Sequence, residues 1–180
     1  TNLNKNIPTK VSTISNCQSI SAGVSSSTIV KSDGTLWSWG SNIYGQLGTG
    51  VISPSYKTTP TKIGTSANWK TISVGNHVLA TKTDGTLWAW GNNDMGQLGG
   101  SISSIYNLPL KIGNSTDWKN VTTGLNHSIG IKNNGELWTW GINSSGELGD
   151  GTYVNKSQQK TSTHLLNAYS GSTYPKAHHA

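Results

Sequence analysis

The chain has 180 residues, enough for one domain with a sizeable core, yet only 32% are hydrophobic and 11% charged, the polarity coming from Ser, Thr, Asn and Gly. Its formal charge of +6 is carried by lysine alone, and the lack of arginine, the residue suited to bidentate phosphate and base contacts, argues against a nucleic-acid partner. The single cysteine, Cys17, excludes an internal disulfide framework and a cysteine zinc site and is expected as a small buried residue, while no apolar run approaches the ~18 residues of a membrane span and no charged-then-apolar leader opens the chain.

Twenty-two glycines, five prolines and eight tryptophans without one phenylalanine point to many short strands joined by turns, with a few large anchors. In chain order the first unit runs from Pro8 (PTKVSTISNCQSISAG) to a hairpin signal at Asp33-Gly34 and then GTLWSWGSNIYGQLGTG. The same order returns from Pro60 and from Leu108, and the leading glycines Gly34, Gly85 and Gly135 are spaced by 51 and 50 residues. Such regularity marks a repeat architecture. We divide the chain into three units over residues 1–157 (about 8–58, 59–107 and 108–157), followed by 158–180 as a partial fourth repeat or strand-exchange segment with a flexible polar tail.

Within a unit, Asp33-Gly34, Asp84-Gly85 and Asn134-Gly135 each lie between alternating runs and predict two-residue β-hairpin turns. In the strand that follows, period-2 geometry places Trp37 and Trp39 on one face and Leu36 and Ser38 on the other, so neither face is made for water. The clusters Gly45-Gln46-Leu47-Gly48, Gly96-Gln97-Leu98-Gly99 and Gly146-Glu147-Leu148-Gly149 predict tight glycine turns around one buried leucine.

The pattern DG-x-L-W-x-W-G-x-N-x-x-G-Q-L-G, with histidine eight residues before the hairpin glycine at His77 and His127, resembles the repeat of the regulator of chromosome condensation family. The resemblance covers about 150 residues and implies an all-β propeller of four-stranded antiparallel blades, about fifty residues each, normally about seven in a ring. Three units in one chain leave the ring incomplete, so the outer faces of the first and third are expected to be apolar and in need of a cover. Relatives in this family serve as guanine-nucleotide exchange factors, ubiquitin-ligase adaptors and inhibitors of β-lactamase, which implies presentation of loops to protein partners.

Catalytic, cofactor-binding and metal sites are expected to be absent. His77 and His127 hold one repeat position, with Ser26 there in the first unit, and read as blade-to-blade hydrogen-bonding groups rather than a catalytic pair. No serine, cysteine or carboxylate is arranged around them as a nucleophile motif, and the seven carboxylates are largely accounted for by turns and repeat positions. Trp37, Trp39, Trp88, Trp90, Trp138 and Trp140 read as packing anchors. Trp69 and Trp118, each followed by lysine, read as surfaces able to stack on a sugar or partner. The repeat-equivalent Lys31, Lys82 and Lys132 form a possible arc of positive charge for an acidic glycan or protein, against the plainer reading of solvated strand ends. The favoured function is self-assembly or scaffolding, completing the blade stack with other copies in a ring or filament; the alternative is a secreted protein- or glycan-recognition domain. The expected location is extracellular or cell-surface and bacterial, with the cytoplasm as alternative.

Overall fold

The computed structural model describes residues 4–52, 55–100 and 105–161. These contain β1 (Cys17–Ala22), β2 (Ser26–Lys31), β3 (Leu36–Ser41), β4 (Tyr56–Ile63), β5 (Trp69–Val74), β6 (His77–Lys82), β7 (Leu87–Asn92), β8 (Ile105–Ile112), β9 (Trp118–Thr123), β10 (His127–Lys132), β11 (Leu137–Gly141) and β12 (Lys156–Thr161). Consecutive strands pair antiparallel into three four-stranded sheets, β1–β4, β5–β8 and β9–β12, and no helix occurs among the described residues. The sheets are propeller blades, and the ring they begin is not closed.

The blades are out of step with the sequence units. Pro60, Lys62 and Ile63, which open the second unit, lie in β4, the fourth strand of blade 1, and Leu108 lies in β8, the fourth strand of blade 2. The fourth strand of blade 3, β12, takes in the first residues of the 158–180 segment, whose remainder lies outside the described residues.

Each β2–β3-type hairpin forms where expected, but its loop differs from the two-residue turn. Lys31 N donates to Thr35 O at 3.0 Å and Gly34 N to Lys31 O at 2.9 Å, so Ser32, Asp33 and Gly34 make a three-residue connection. Gly34, Gly85 and Gly135 sit at φ of 74°, 75° and 88°, the left-handed position that ends a type I turn in a bulge. Asp33 holds the geometry by accepting from Thr35 N and Thr35 Oγ1 at 3.0 and 2.6 Å, and Asp84 does the same with Thr86 at the same two distances. A two-residue turn lacks room for this side-chain clasp.

The core lies between blades rather than within one. Val30, Leu36 and Ile63 of blade 1 meet Ile72, Val74, Val78, Ala80 and Trp90 of blade 2 in one cluster. Leu79, Leu87, Ala89, Leu98 and Ile112 of blade 2 meet Trp118, Val121 and Trp140 of blade 3 in the other. Strand β6 is buried along its whole length because alternate residues serve the two clusters, Val78 and Ala80 toward blade 1 and Leu79 toward blade 3.

Candidate functional site at the ends of the blade stack

The chemistry that joins one blade to the next starts in the glycine turn. A buried asparagine at the end of the tryptophan strand folds this loop: Asn42, Asn93 and Asn143 Oδ1 accept from the amides of Leu47, Leu98 and Leu148 at 3.1, 2.8 and 3.0 Å. The leucines are accordingly 0%, 0% and 1% exposed. The turn then presents its preceding carbonyl to the following blade. Trp90 Nε1 donates to Gln46 O at 3.0 Å, and Trp140 Nε1 donates to Gln97 O at 2.8 Å. On the inner strands, Val74 N donates to Ser21 Oγ at 3.0 Å and Thr123 N to Ser73 Oγ at 2.9 Å.

The turn glycines fit because the neighbour is there. A Cβ on Gly45 would come within 2.7 Å of Asn107 Cβ, and one on Gly96 within 2.6 Å of Ser157 Cα, each across a blade boundary. The corresponding Cβ on Gly146 of blade 3 would meet nothing closer than Tyr153 at 3.9 Å.

His77 forms the deepest polar contact between blades 2 and 3, its Nε2 lying 2.7 Å from Ser128 Oγ. Because Ser128 Oγ gives its proton to Gln97 O at 2.8 Å, it must accept from His77, which fixes the neutral Nε2–H tautomer. Burial, reinforced by the neighbouring His127, lowers the His77 pKa to about 3, so the ring stays uncharged. His127 occupies the same position on blade 3, half-buried against Gly124, and its ring makes no hydrogen bond among the described residues.

The six repeated tryptophans follow the same division between inside and end. Trp90 and Trp140 are fully buried at blade boundaries, whereas Trp39 of blade 1 is half-buried and its Nε1 donates to nothing among the described residues. Trp37, Trp88 and Trp138 are also half-buried, their Nε1 atoms donating to Thr35, Thr86 and Glu136 at 2.9, 2.9 and 3.3 Å.

Two expectations about binding residues are corrected. Trp69 and Trp118 are only 4% and 2% exposed and pack edge-on against Trp88 and Trp90, and against Trp138 and Trp140, at centroid distances of 5.6 to 6.1 Å. They are therefore unavailable to stack on a sugar, because each is a wedge in its own blade. Of the three lysines of the expected arc, Lys82 is buried and Lys31 and Lys132 are half-buried. Lys82 is 8% exposed, with Nζ 4.0 Å from the Trp88 centroid and 4.6 Å from that of Trp69, and burial lowers its pKa. Lys132 lies over Trp118 and Trp138 and pairs with Asp117 at 3.1 Å; Lys31 lies over Trp37 and pairs with Asp33 at 3.6 Å. The pairing Trp69↔Lys82 and Trp118↔Lys132 across neighbouring strands accounts for Lys82 and Lys132.

Cys17 is also corrected: it is exposed, not buried. It pairs with Lys31, the place held by Trp69 and Trp118 in the other blades, so blade 1 lacks the wedge. At one repeat position blade 3 has Gly130, where an added Cβ would come within 2.5 Å of Trp118, while blade 2 has Ala80 and blade 1 the larger Ile29.

The ends consequently show what the boundaries hide. Blade 1 carries an open cleft of about 430 Å³ lined by Ile20, Ser21, Ala22, Ser27, Ile29 and Trp39, with Ile20 75% exposed. Blade 3 ends in a smaller apolar cleft of about 210 Å³ that includes Thr122, Ile129, Ile131 and Leu137. Among the described residues, no group of three or more His, Cys, Asp or Glu is placed to hold a metal ion.

Comparison with known proteins accounts for this interlock. A profile described as Regulator of chromosome condensation (RCC1) repeat matches residues 33–80 and 84–131, more than half of the chain. The chain belongs to the RCC1 repeat family. A second profile of the same description matches 17–46 and 118–147. Yeast RCC1 (Prp20), solved bound to Kap60, superposes with a TM-score of 0.77 at 24% identity over 84% of this chain and 38% of that one. Human WBSCR16 gives 0.71 at 23% identity, over 79% of this chain and 36% of that one. At these identities the structural likeness establishes the RCC1 propeller fold alone. In sequence, the X-linked retinitis pigmentosa GTPase regulator homolog of Caenorhabditis elegans is 38% identical over 85 residues, 47% of this chain and 6% of that protein. The three RCC1-type blades thus span less than two-fifths of these structures and a small part of that relative.

Proposed function

We propose that this RCC1 repeat module is a non-enzymatic protein-interaction unit that completes its blade stack by self-association, as a ring or filament. The observation that carries the reading is the cleft on blade 1. Its counterparts on blades 2 and 3 are each filled by the preceding blade, and this one is open around Trp39 and the exposed Ile20. An apolar, hydrogen-bond-competent face of this kind gains by being covered with protein of the same shape.

Protein binding also has precedent in the fold neighbours, since Prp20 is the partner of Kap60 in its solved complex. That property belongs to Prp20 and enters here only as support for a protein rather than a small molecule as ligand. Of the residues behind the protein- or glycan-recognition alternative, Trp69, Trp118 and Lys82 are buried and Lys31 and Lys132 half-buried, which favours the self-association reading. Light scattering over a concentration series, with electron microscopy of the particles, tests self-association: the expected result is mass in multiples of 19.1 kDa, and a constant monomer mass up to the solubility limit overturns it.

A further inference from the structure

We infer that Lys70 and Lys119, the bulged lysines of the innermost strands of blades 2 and 3, form a docking site for an acidic segment of a partner protein. The inference goes beyond the self-association reading and does not depend on what covers the ends of the stack.

Strands β1, β5 and β9 are edges of their sheets and lie against one another from blade to blade, which puts them nearest the propeller axis. Val74 N on Ser21 Oγ and Thr123 N on Ser73 Oγ tie them together. Each carries an irregularity at the same place. The register skips Gln18 in β1, Lys70 in β5 and Lys119 in β9, directly after the residue paired with the lysine of the next strand. A bulge leaves its extra residue out of the ladder and re-aims the side chain. Trp69 and Trp118 are therefore buried while the adjoining Lys70 and Lys119 stand exposed. The bulge itself does not call for lysine, because blade 1 builds it with Gln18.

Like charges at one level on neighbouring strands are unfavourable unless an anion offsets them. No carboxylate among the described residues does so. Asp117, close in sequence to Lys119, pairs with Lys132 at 3.1 Å, and Asp33 pairs with Lys31 at 3.6 Å. Asp84 is taken up by Thr86. Lys70 and Lys119 make no ion pair among the described residues, and neither lies over an indole as Lys31, Lys82 and Lys132 do.

The surroundings select the ligand. An ammonium takes a carboxylate or a phosphate, but holding a base beside it calls for an exposed aromatic face, and Trp69 and Trp118, next to these lysines, are buried. The chain has no arginine for bidentate phosphate contacts. A pair of ammonium groups one blade step apart, without a stacking surface, fits successive carboxylates of an Asp/Glu-rich segment.

Fluorescence anisotropy of a labelled octaglutamate peptide against the whole chain tests the site. Saturable binding is expected, weakening as salt rises from about 50 to about 300 mM. Lys70→Gln with Lys119→Gln gives both strands the residue that blade 1 carries at this bulge; it is expected to weaken binding about tenfold, and either change alone about threefold. Circular dichroism and tryptophan emission verify folding. Lys62→Gln with Lys111→Gln, at exposed lysines of β4 and β8, removes the same net charge and is expected to leave the affinity within about twofold. Absence of saturable binding overturns the inference and leaves Lys70 and Lys119 as charges that blunt a sheet edge. Equal losses in the two double variants overturn it by making the attraction one of net charge, and tighter binding of a thymidine octanucleotide than of the peptide overturns it by making the ligand a nucleic acid.

Discussion

Blade 2 and blade 1 have the same strand order and nearly the same tryptophan strand, and differ in what lies in front of them. Trp90 is fully buried with its indole N–H bonded to the glycine turn of blade 1, while Trp39, at the same repeat position, is half-buried beside an open cleft. The same residue is thus an internal core residue in one blade and a surface residue in the other. Stability in a stack of this kind resides in boundaries between units, so a residue's energetic role depends on whether its neighbour is present.

The largest test of that contrast is truncation of the two indoles. Trp90→Ala is expected to cost about 3–5 kcal/mol in chemical denaturation, as a large core side chain lost together with its hydrogen bond, and Trp39→Ala about 1 kcal/mol or less. Measured at concentrations where the protein is monomeric, equal losses would show that blade 1 is covered within the chain and erase the distinction between inside and end.

A pH test probes the buried histidine at the boundary between blades 2 and 3. His77 has a folded pKa of about 3 against an unfolded value of 6.5, so between these values the unfolded chain takes up a proton that the folded chain refuses. Its contribution is complete above pH 6.5 and is lost as pH falls, by about 1.4 kcal/mol per unit, or about 2 kcal/mol at pH 5. The lowered carboxylates Asp33, Asp84, Glu147 and Asp150 lose their contributions only below the usual carboxylate range, which leaves pH 5 to 6.5 to the histidine. His77→Gln, which keeps a donor for Ser128, is expected to flatten the slope in urea midpoints over this window. A slope unchanged in His77→Gln would refute the buried neutral assignment.

Much of this arrangement was legible because the repeat registers itself. The tryptophan strand and the buried leucine of the glycine turn follow from one pattern recurring every 50 or 51 residues, and the four-stranded blade from the resemblance of that pattern to the regulator of chromosome condensation repeat. What the pattern hid was direction. Trp69 and Trp118 sit beside lysines in a polar stretch and look exposed, yet strand pairing folds the lysine of the next strand over them. Blade boundaries were hidden too, since Pro60 and Lys62 begin a regular sequence unit while belonging to the outer strand of the preceding sheet. Asn42, Asn93 and Asn143 were visible as an invariant letter of the three repeats. Their clasp on the leucine amide depends on a loop conformation that spacing does not encode.

Smaller effects sharpen the comparison at the lysine clamps and at Cys17. Lys82→Met keeps the aliphatic stem over Trp69 and Trp88 and removes the charge; the expected loss is about 1 kcal/mol, against less for Lys31→Met, whose ammonium stands 5.8 Å from a single indole. Cys17→Ser is expected to change stability by no more than about 0.5 kcal/mol, and the exposed thiol should be alkylated in the native protein without unfolding. Rebuilding the wedge is the stricter test, because Ile29 stands at the repeat position held by the smaller Ala80 and Gly130 in the blades that carry Trp69 and Trp118. Cys17→Trp alone should therefore destabilise blade 1 by overpacking, and Cys17→Trp with Ile29→Ala should recover that loss; a double variant no better than the single one would mean that the two positions are not coupled.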